Sequence, residues 1–90
     1  MATDSHLQRK SDLRRAVRHY LATRPTIAQE AGVIHRHVRR ELPCDLDEIE
    51  AALTFLASME PAQVVSRLDD LGATPYYQIT AAGTLADERD

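Results

Sequence analysis

Pro25 and Pro43 cut the first 58 residues of this 90-residue chain into three runs, each with the apolar spacing of a helix. Proline removes a backbone donor and pushes the residue before it out of helical geometry. Several short helices, rather than one long one, are therefore the first constraint on the fold. In the first run, Ser11 to Arg24, Leu13, Val17, Tyr20 and Leu21 share one stripe. Arg14, Arg15, Arg18 and His19 lie largely away from it. Residues 1–10 are polar and read as a flexible N-terminal arm ahead of a domain over 11–88.

The second run opens at Thr26, where Thr26 and Gln29 have the spacing of a capping box. Ile27, Ala31, Ile34, Val38 and Leu42 then recur at steps of four, three, four and four. That phase predicts one continuous helix from Ile27 to Leu42. Gly32 inside it costs roughly 1 kcal/mol relative to Ala. Arg36, Arg39 and Arg40 sit on or beside the opposite face. In the third run Asp45 is a strong N-cap, and Glu48 at the third helical position completes a capping box. Leu46, Ile49, Leu53 and Leu56 form its apolar stripe, with Asp47, Ala51, Thr54, Phe55 and Ser58 opposite.

Charge divides along the same chain. Residues 1–42 carry nine Lys/Arg against four carboxylates, giving +5. Residues 43–90 carry two Arg against ten carboxylates, giving −8, and the two halves make the net −3. Such asymmetry points to partners chosen by charge or to head-to-tail self-association. The plain alternative is two solvated faces of unlike sign. The 43% apolar content argues for a folded domain. No apolar run is long enough to span a membrane, and the start of the chain lacks a signal-peptide core. With a single cysteine, Cys44, which cannot form an internal disulfide, a cytoplasmic location is expected, a virion or other intracellular assembly being equally open.

Residues 61–79 support two readings. Gln63 to Leu68 and Tyr76 to Thr80 have the makings of a hairpin around the polar loop Asp69–Pro75. Pro61, Val64, Leu68 and Leu71, with Gly72 beyond, suit a helix equally. Thr80 then caps a short C-terminal helix from Ala81 to about Glu88.

Three helices, a hairpin signal and the string Tyr76-Tyr77-Gln78-Ile79-Thr80-Ala81-Ala82-Gly83 resemble a winged-helix domain, a winged helix-turn-helix, over about residues 11–88. The second wing strand of that family runs into a Thr-capped helix. The likeness in style is to small winged-helix proteins of Mu-like phages and prophages, and more distantly to PadR- and MarR-type regulators. It implies an α+β fold of three helices, a two-stranded β-wing and a short C-terminal helix, and it favours the hairpin over the helix at 61–79. A second resemblance lies within it. Residues 26–38, TIAQEAGVIHRHV, look like the compact helix-turn-helix of many repressors, with Gly32 as the turn and Ile34 to Leu42 as the reading helix. The unbroken apolar phase through Gly32 argues for the continuous helix instead.

The resemblance implies DNA binding or protein docking. Phosphate contacts require Lys or Arg. The third helix, where a winged helix reads the major groove, has none, and its first turn carries Asp47 and Glu48. Two like charges 4 Å apart repel by about 1 kcal/mol even in water. Carboxylates in a first turn also complement the helix dipole, which accounts for their presence without any partner. Candidate double-stranded DNA contacts are therefore Arg14, Arg15, Arg18, Arg36, Arg39 and Arg40, as in a phage-type transcription regulator or packaging accessory. The alternative is a protein partner or homodimer docking on the third helix through Ala51, Thr54, Phe55 and Ser58. No catalytic or metal site is expected: His35 and His37 are two apart on a helix and diverge, Cys44 has no partner in motif spacing, and no Gly-rich phosphate loop or cofactor motif exists.

Overall fold

The computed structural model describes residues 2–68 and 71–90. The chain runs α1 (Ala2–Ala22), β1 (Gln29–Glu30), α2 (Ala31–Val38), α3 (Leu46–Ser58), β2 (Val64–Leu68), β3 (Pro75–Ile79) and α4 (Ala81–Arg89). The strands form one antiparallel sheet in the order β1-β3-β2. The fold is α+β, with four helices and a small three-stranded sheet.

The apolar stripes read from the sequence meet in a single core. Leu13, Val17 and Leu21 of α1 pack with Ile34 and Val38 of α2 and with Ile49, Ala52, Leu53 and Leu56 of α3. Val64 and Ile79, paired across the hairpin, close it from the sheet side. Burying each large side chain contributes on the order of 1.5–3 kcal/mol. The two readings of 61–79 resolve to the hairpin. Its register sets Val64 against Ile79 and Leu68 against Pro75, so Val64, Ser66 and Leu68 share one face of β2, of which only Val64 reaches the core.

Local signals hold where the partners are close in sequence. At the start of α3, the Asp45 side chain accepts from the Glu48 N–H at 2.8 Å, and the Asp45 N–H donates to the Glu48 carboxylate at 3.2 Å. Thr80 caps α4 by accepting from the Gly83 N–H at 3.1 Å.

Four expectations need correction. The sheet has three strands where a two-stranded wing was expected. Gln29 and Glu30 pair with Tyr77 and Tyr76 of β3, and those ladder bonds displace the expected cap at Thr26. The second helix is consequently Ala31–Val38, shorter than Ile27 to Leu42 at both ends. Ile27 is 53% exposed, outside the stripe it was assigned to, and Leu46 is 40% exposed. Gly32 lies in the first turn of α2 and makes no turn between helices, so the compact helix-turn-helix, which the unbroken apolar phase already argued against, is not formed. Finally, residues 2–10 continue α1 rather than forming an arm. Asp69 and Asp70 of the hairpin loop lie outside the described residues.

Gln63, between α3 and β2, ties four elements together. Its N–H donates to Leu56 O at 3.0 Å, and its carbonyl accepts from the Thr80 N–H at 3.0 Å. Its side-chain oxygen accepts from Arg18 at 3.2 Å. The same peptide is why position 83 is glycine: a Cβ there would lie 2.2 Å from Gln63 O and 2.7 Å from Ile79 Cγ1. A backbone carbonyl cannot move aside as a flexible side chain can. Gly83→Ala should therefore cost about 2–3 kcal/mol, in the upper part of the overpacking range. Gly32→Ala meets nothing within 4 Å and should instead raise stability by up to about 1 kcal/mol. Thermal melts of the two variants check this, with opposite signs of the midpoint shift expected.

Candidate nucleic-acid interface

The six arginines expected to form one basic surface fall into two groups with different fates. Those of α1 are engaged inside the molecule. The Arg18 side chain is only 11% exposed, lying against Asp90 and 3.9 Å from Asp87 of α4. Arg15 reaches Asp90 at 3.6 Å. Arg14 stacks its guanidinium 3.5 Å from the centre of the Phe55 ring. Neighbouring His19 contacts Asp87 at 3.1 Å. Docking of α4 thus places carboxylates over the arginine face of α1, and phosphate would have to displace them.

Arg36, Arg39 and Arg40 are different. All three are exposed at the C-terminal end of α2, and none has an ion-pair partner among the described residues. The backbone keeps a helical course just beyond Val38, where Arg39 N–H donates to His35 O at 3.0 Å and Arg40 N–H to His37 O at 3.4 Å. The three cations therefore cluster within about one turn. Their place at a helix C-terminus favours the helix dipole, which is a sufficient structural reason for one of them and leaves the clustering of three in excess.

The groove beside this cluster runs between the second half of α1 and the end of α2, with a volume of about 320 Å³. The Tyr20 and His37 rings stack in it, with centroids 4.8 Å apart and planes 21° apart. The Tyr20 hydroxyl donates to Gln29 Oε1 at 2.5 Å, so β1 fixes the ring. The Arg24 guanidinium lies 4.9 Å over the same ring. His35 turns the other way, its ring nitrogen 2.8 Å from Cys44 O, where it pins the loop before α3. The two histidines diverge, as their spacing requires. Cys44 is a free, half-buried thiol whose pKa burial pushes up, with Glu48 adding to the shift. That favours the protonated, unreactive form.

On α3, Ala51, Thr54, Phe55 and Ser58 are exposed together, as the spacing predicted. Phe55 is 41% exposed, with Arg14 over its ring. Asp47 and Glu50 flank this face in solvent. Glu48 is turned aside: Arg9 of α1 donates to both its carboxylate oxygens, at 2.8 and 2.9 Å, and also to Pro43 O at 2.9 Å. This link is absent from the sequence reading. One signal for it exists: Arg9 stands four residues before Leu13, continuing the step of four that runs through Val17 and Leu21.

No family model, curated protein or solved structure matches the chain. No helix is long and apolar enough to cross a membrane, and no group of three or more potential metal ligands occurs among the described residues.

The Arg9 hydrogen bonds, and then the Asp45 backbone N–H, hold the Glu48 carboxyl below the usual carboxylate range. A carboxyl whose folded pKa is depressed contributes stability above its unfolded pKa, about 4.3, and loses it as pH falls through the folded value. Glu48→Gln keeps a hydrogen-bonding cap but removes the charge. The melting-temperature gap between the natural protein and this variant should be full at pH 7 and should close below about pH 4. A gap that persists unchanged to pH 3 would assign it to packing instead.

Proposed function

We propose that this chain is a small winged-helix domain that binds nucleic acid through the basic end of α2. The observation that carries the proposal is the trio Arg36, Arg39 and Arg40, exposed and without an ion-pair partner among the described residues, while Arg14, Arg15 and Arg18 of α1 contact Phe55 and α4. The winged-helix reading is supported by the order of three helices, hairpin and Thr-capped helix. A role as a phage-type regulator or packaging accessory follows from the sequence resemblance alone.

The charge pattern selects the approach. A phosphate backbone meeting α3 first would face Asp47 and Glu50 with no cation on that helix to offset them. Approach from the end of α2 meets three guanidinium groups, which donate to phosphate in a bidentate fork. Binding of this kind is largely sequence-independent and strongly salt-dependent.

Each phosphate neutralised contributes about 0.9 to the slope of log affinity against log salt. Changing Arg36, Arg39 and Arg40 together to Gln should weaken binding to a nonspecific duplex and lower the slope by about 2–3. Fluorescence anisotropy between about 50 and 200 mM salt measures both. Absence of binding by the natural protein at the low end, or an affinity that ignores salt, rejects the reading. A second reading, protein docking or homodimerisation on α3, is favoured by the exposure of Phe55 beside Ala51 and Thr54. Under it, Phe55→Ala shifts the sedimentation behaviour, and an unchanged profile with no loss of partner capture excludes it.

A further inference from the structure

We propose that the groove between α1 and α2 is a phosphate-group site clamped by Arg24 and Arg40. This deepens the nucleic-acid reading and rests on it for the source of the phosphate, though not for the chemistry of the site.

Arg24 and Arg40 both line the groove, one two residues beyond α1 and the other two residues beyond α2. Neither has an ion-pair partner among the described residues. Arg24 is preorganised. Its guanidinium lies over the Tyr20 ring, and its Nη1 donates to the Thr23 hydroxyl at 3.1 Å. That hydroxyl in turn donates to Tyr20 O at 2.6 Å. Tyr20 itself is fixed by the Gln29 hydrogen bond and by stacking on His37. A cation held this way loses less conformational freedom on binding than a free surface side chain.

The remaining polar groups on the walls are consistent with an anion. His37 offers a ring N–H, and His19 stands on the same wall although shared with Asp87. Among the described residues Glu41 is the one carboxylate lining the groove, against two guanidinium groups. Two planar forks lining one groove match the several acceptor oxygens of a phosphate better than the single charge of a carboxylate. The phosphate could belong to a nucleic-acid backbone or to a free phosphorylated molecule. The site adjoins Arg36 and Arg39, so a backbone contacting that cluster would pass its mouth.

The test follows the His37 imidazole and Tyr20 ring signals by NMR during titration with inorganic phosphate, against sodium chloride at equal ionic strength and fixed pH. The expected result is a saturable shift specific to phosphate. Arg24→Gln and Arg40→Gln should each weaken it about tenfold, and Arg67→Gln, on the hairpin, should leave it unchanged. Circular dichroism melts confirm that these exposed variants fold. Shifts that only track ionic strength, or that survive Arg24→Gln, overturn the site. A duplex is then titrated. If it moves the same signals, the backbone is the source. If phosphate moves them and duplex neither moves them nor binds in the anisotropy assay, the site stands, a free phosphorylated ligand is its occupant, and the nucleic-acid reading fails. If duplex binds with salt-dependent affinity while neither titrant moves the signals, the site is wrong and the reading of α2 survives.

Discussion

The buried guanidinium of Arg18 is the interaction on which the rest of the arrangement depends. Its side chain reaches Gln63 at the entry to the hairpin and Asp87 and Asp90 on α4. Taking a charge this far out of water is costly unless it is paired, and removing one partner of such a pair typically costs more than the pair contributes. The charge pairing of Arg18 with Asp87 and Asp90 holds the acidic α4 against the arginine face of the first helix, although Nε and Nη2 make no hydrogen bond among the described residues and only Nη1 donates, to Gln63. Arg15 and His19 are drawn into the same contacts. What remains basic at the surface is decided by this internal neutralisation, not by the count of arginines in the first half of the chain.

The same pattern recurs at the other end of α1. Arg9 takes up Glu48, the residue that also caps α3, so one carboxylate serves a local and a long-range bond at once. The two clusters pair Arg9 near one end of α1, and Arg15, Arg18 and His19 towards the other, with carboxylates of α3 and α4. The end of α2, which meets neither α4 nor the start of α3 through a carboxylate, leaves Arg36, Arg39 and Arg40 without an ion-pair partner among the described residues. The positive half of the sequence thus becomes a confined positive patch, beside a groove whose walls carry Arg24 and Arg40.

What was legible in the sequence was what is local. Asp45 and Glu48 are three residues apart, and their capping box forms as read. Thr80 and Gly83 behave likewise. The core stripes of α1 and α3 were legible because helical periodicity is a short-range signal, though Leu46 at the edge of its stripe stays half out. The failures are long-range. Nothing near Gln29 announces a strand, because its partner is Tyr77 across the whole helical region. The polar start of α1 is anchored to Glu48, 39 residues away from Arg9. The hairpin at 61–79 tied with a helix on local signals and is decided by Val64 facing Ile79 and by the Gln63 bonds to both flanking elements. For the candidate interface, spacing gave all six arginines equal standing. Only the fold separates Arg14, Arg15 and Arg18 from Arg36, Arg39 and Arg40, because the carboxylates that engage Arg15 and Arg18, and the Phe55 ring beneath Arg14, come from distant parts of the chain.

The central claim is a division of labour between two arginine clusters on adjacent helices. Amide chemical-shift mapping of the labelled protein during titration with a nonspecific duplex tests it most directly. The account predicts perturbations concentrated from Val33 to Leu42 and around Arg24, with the outer face of α3 from Asp47 to Ser58 unmoved. Perturbations centred on α3 or on the β2–β3 hairpin, with the end of α2 silent, would contradict it.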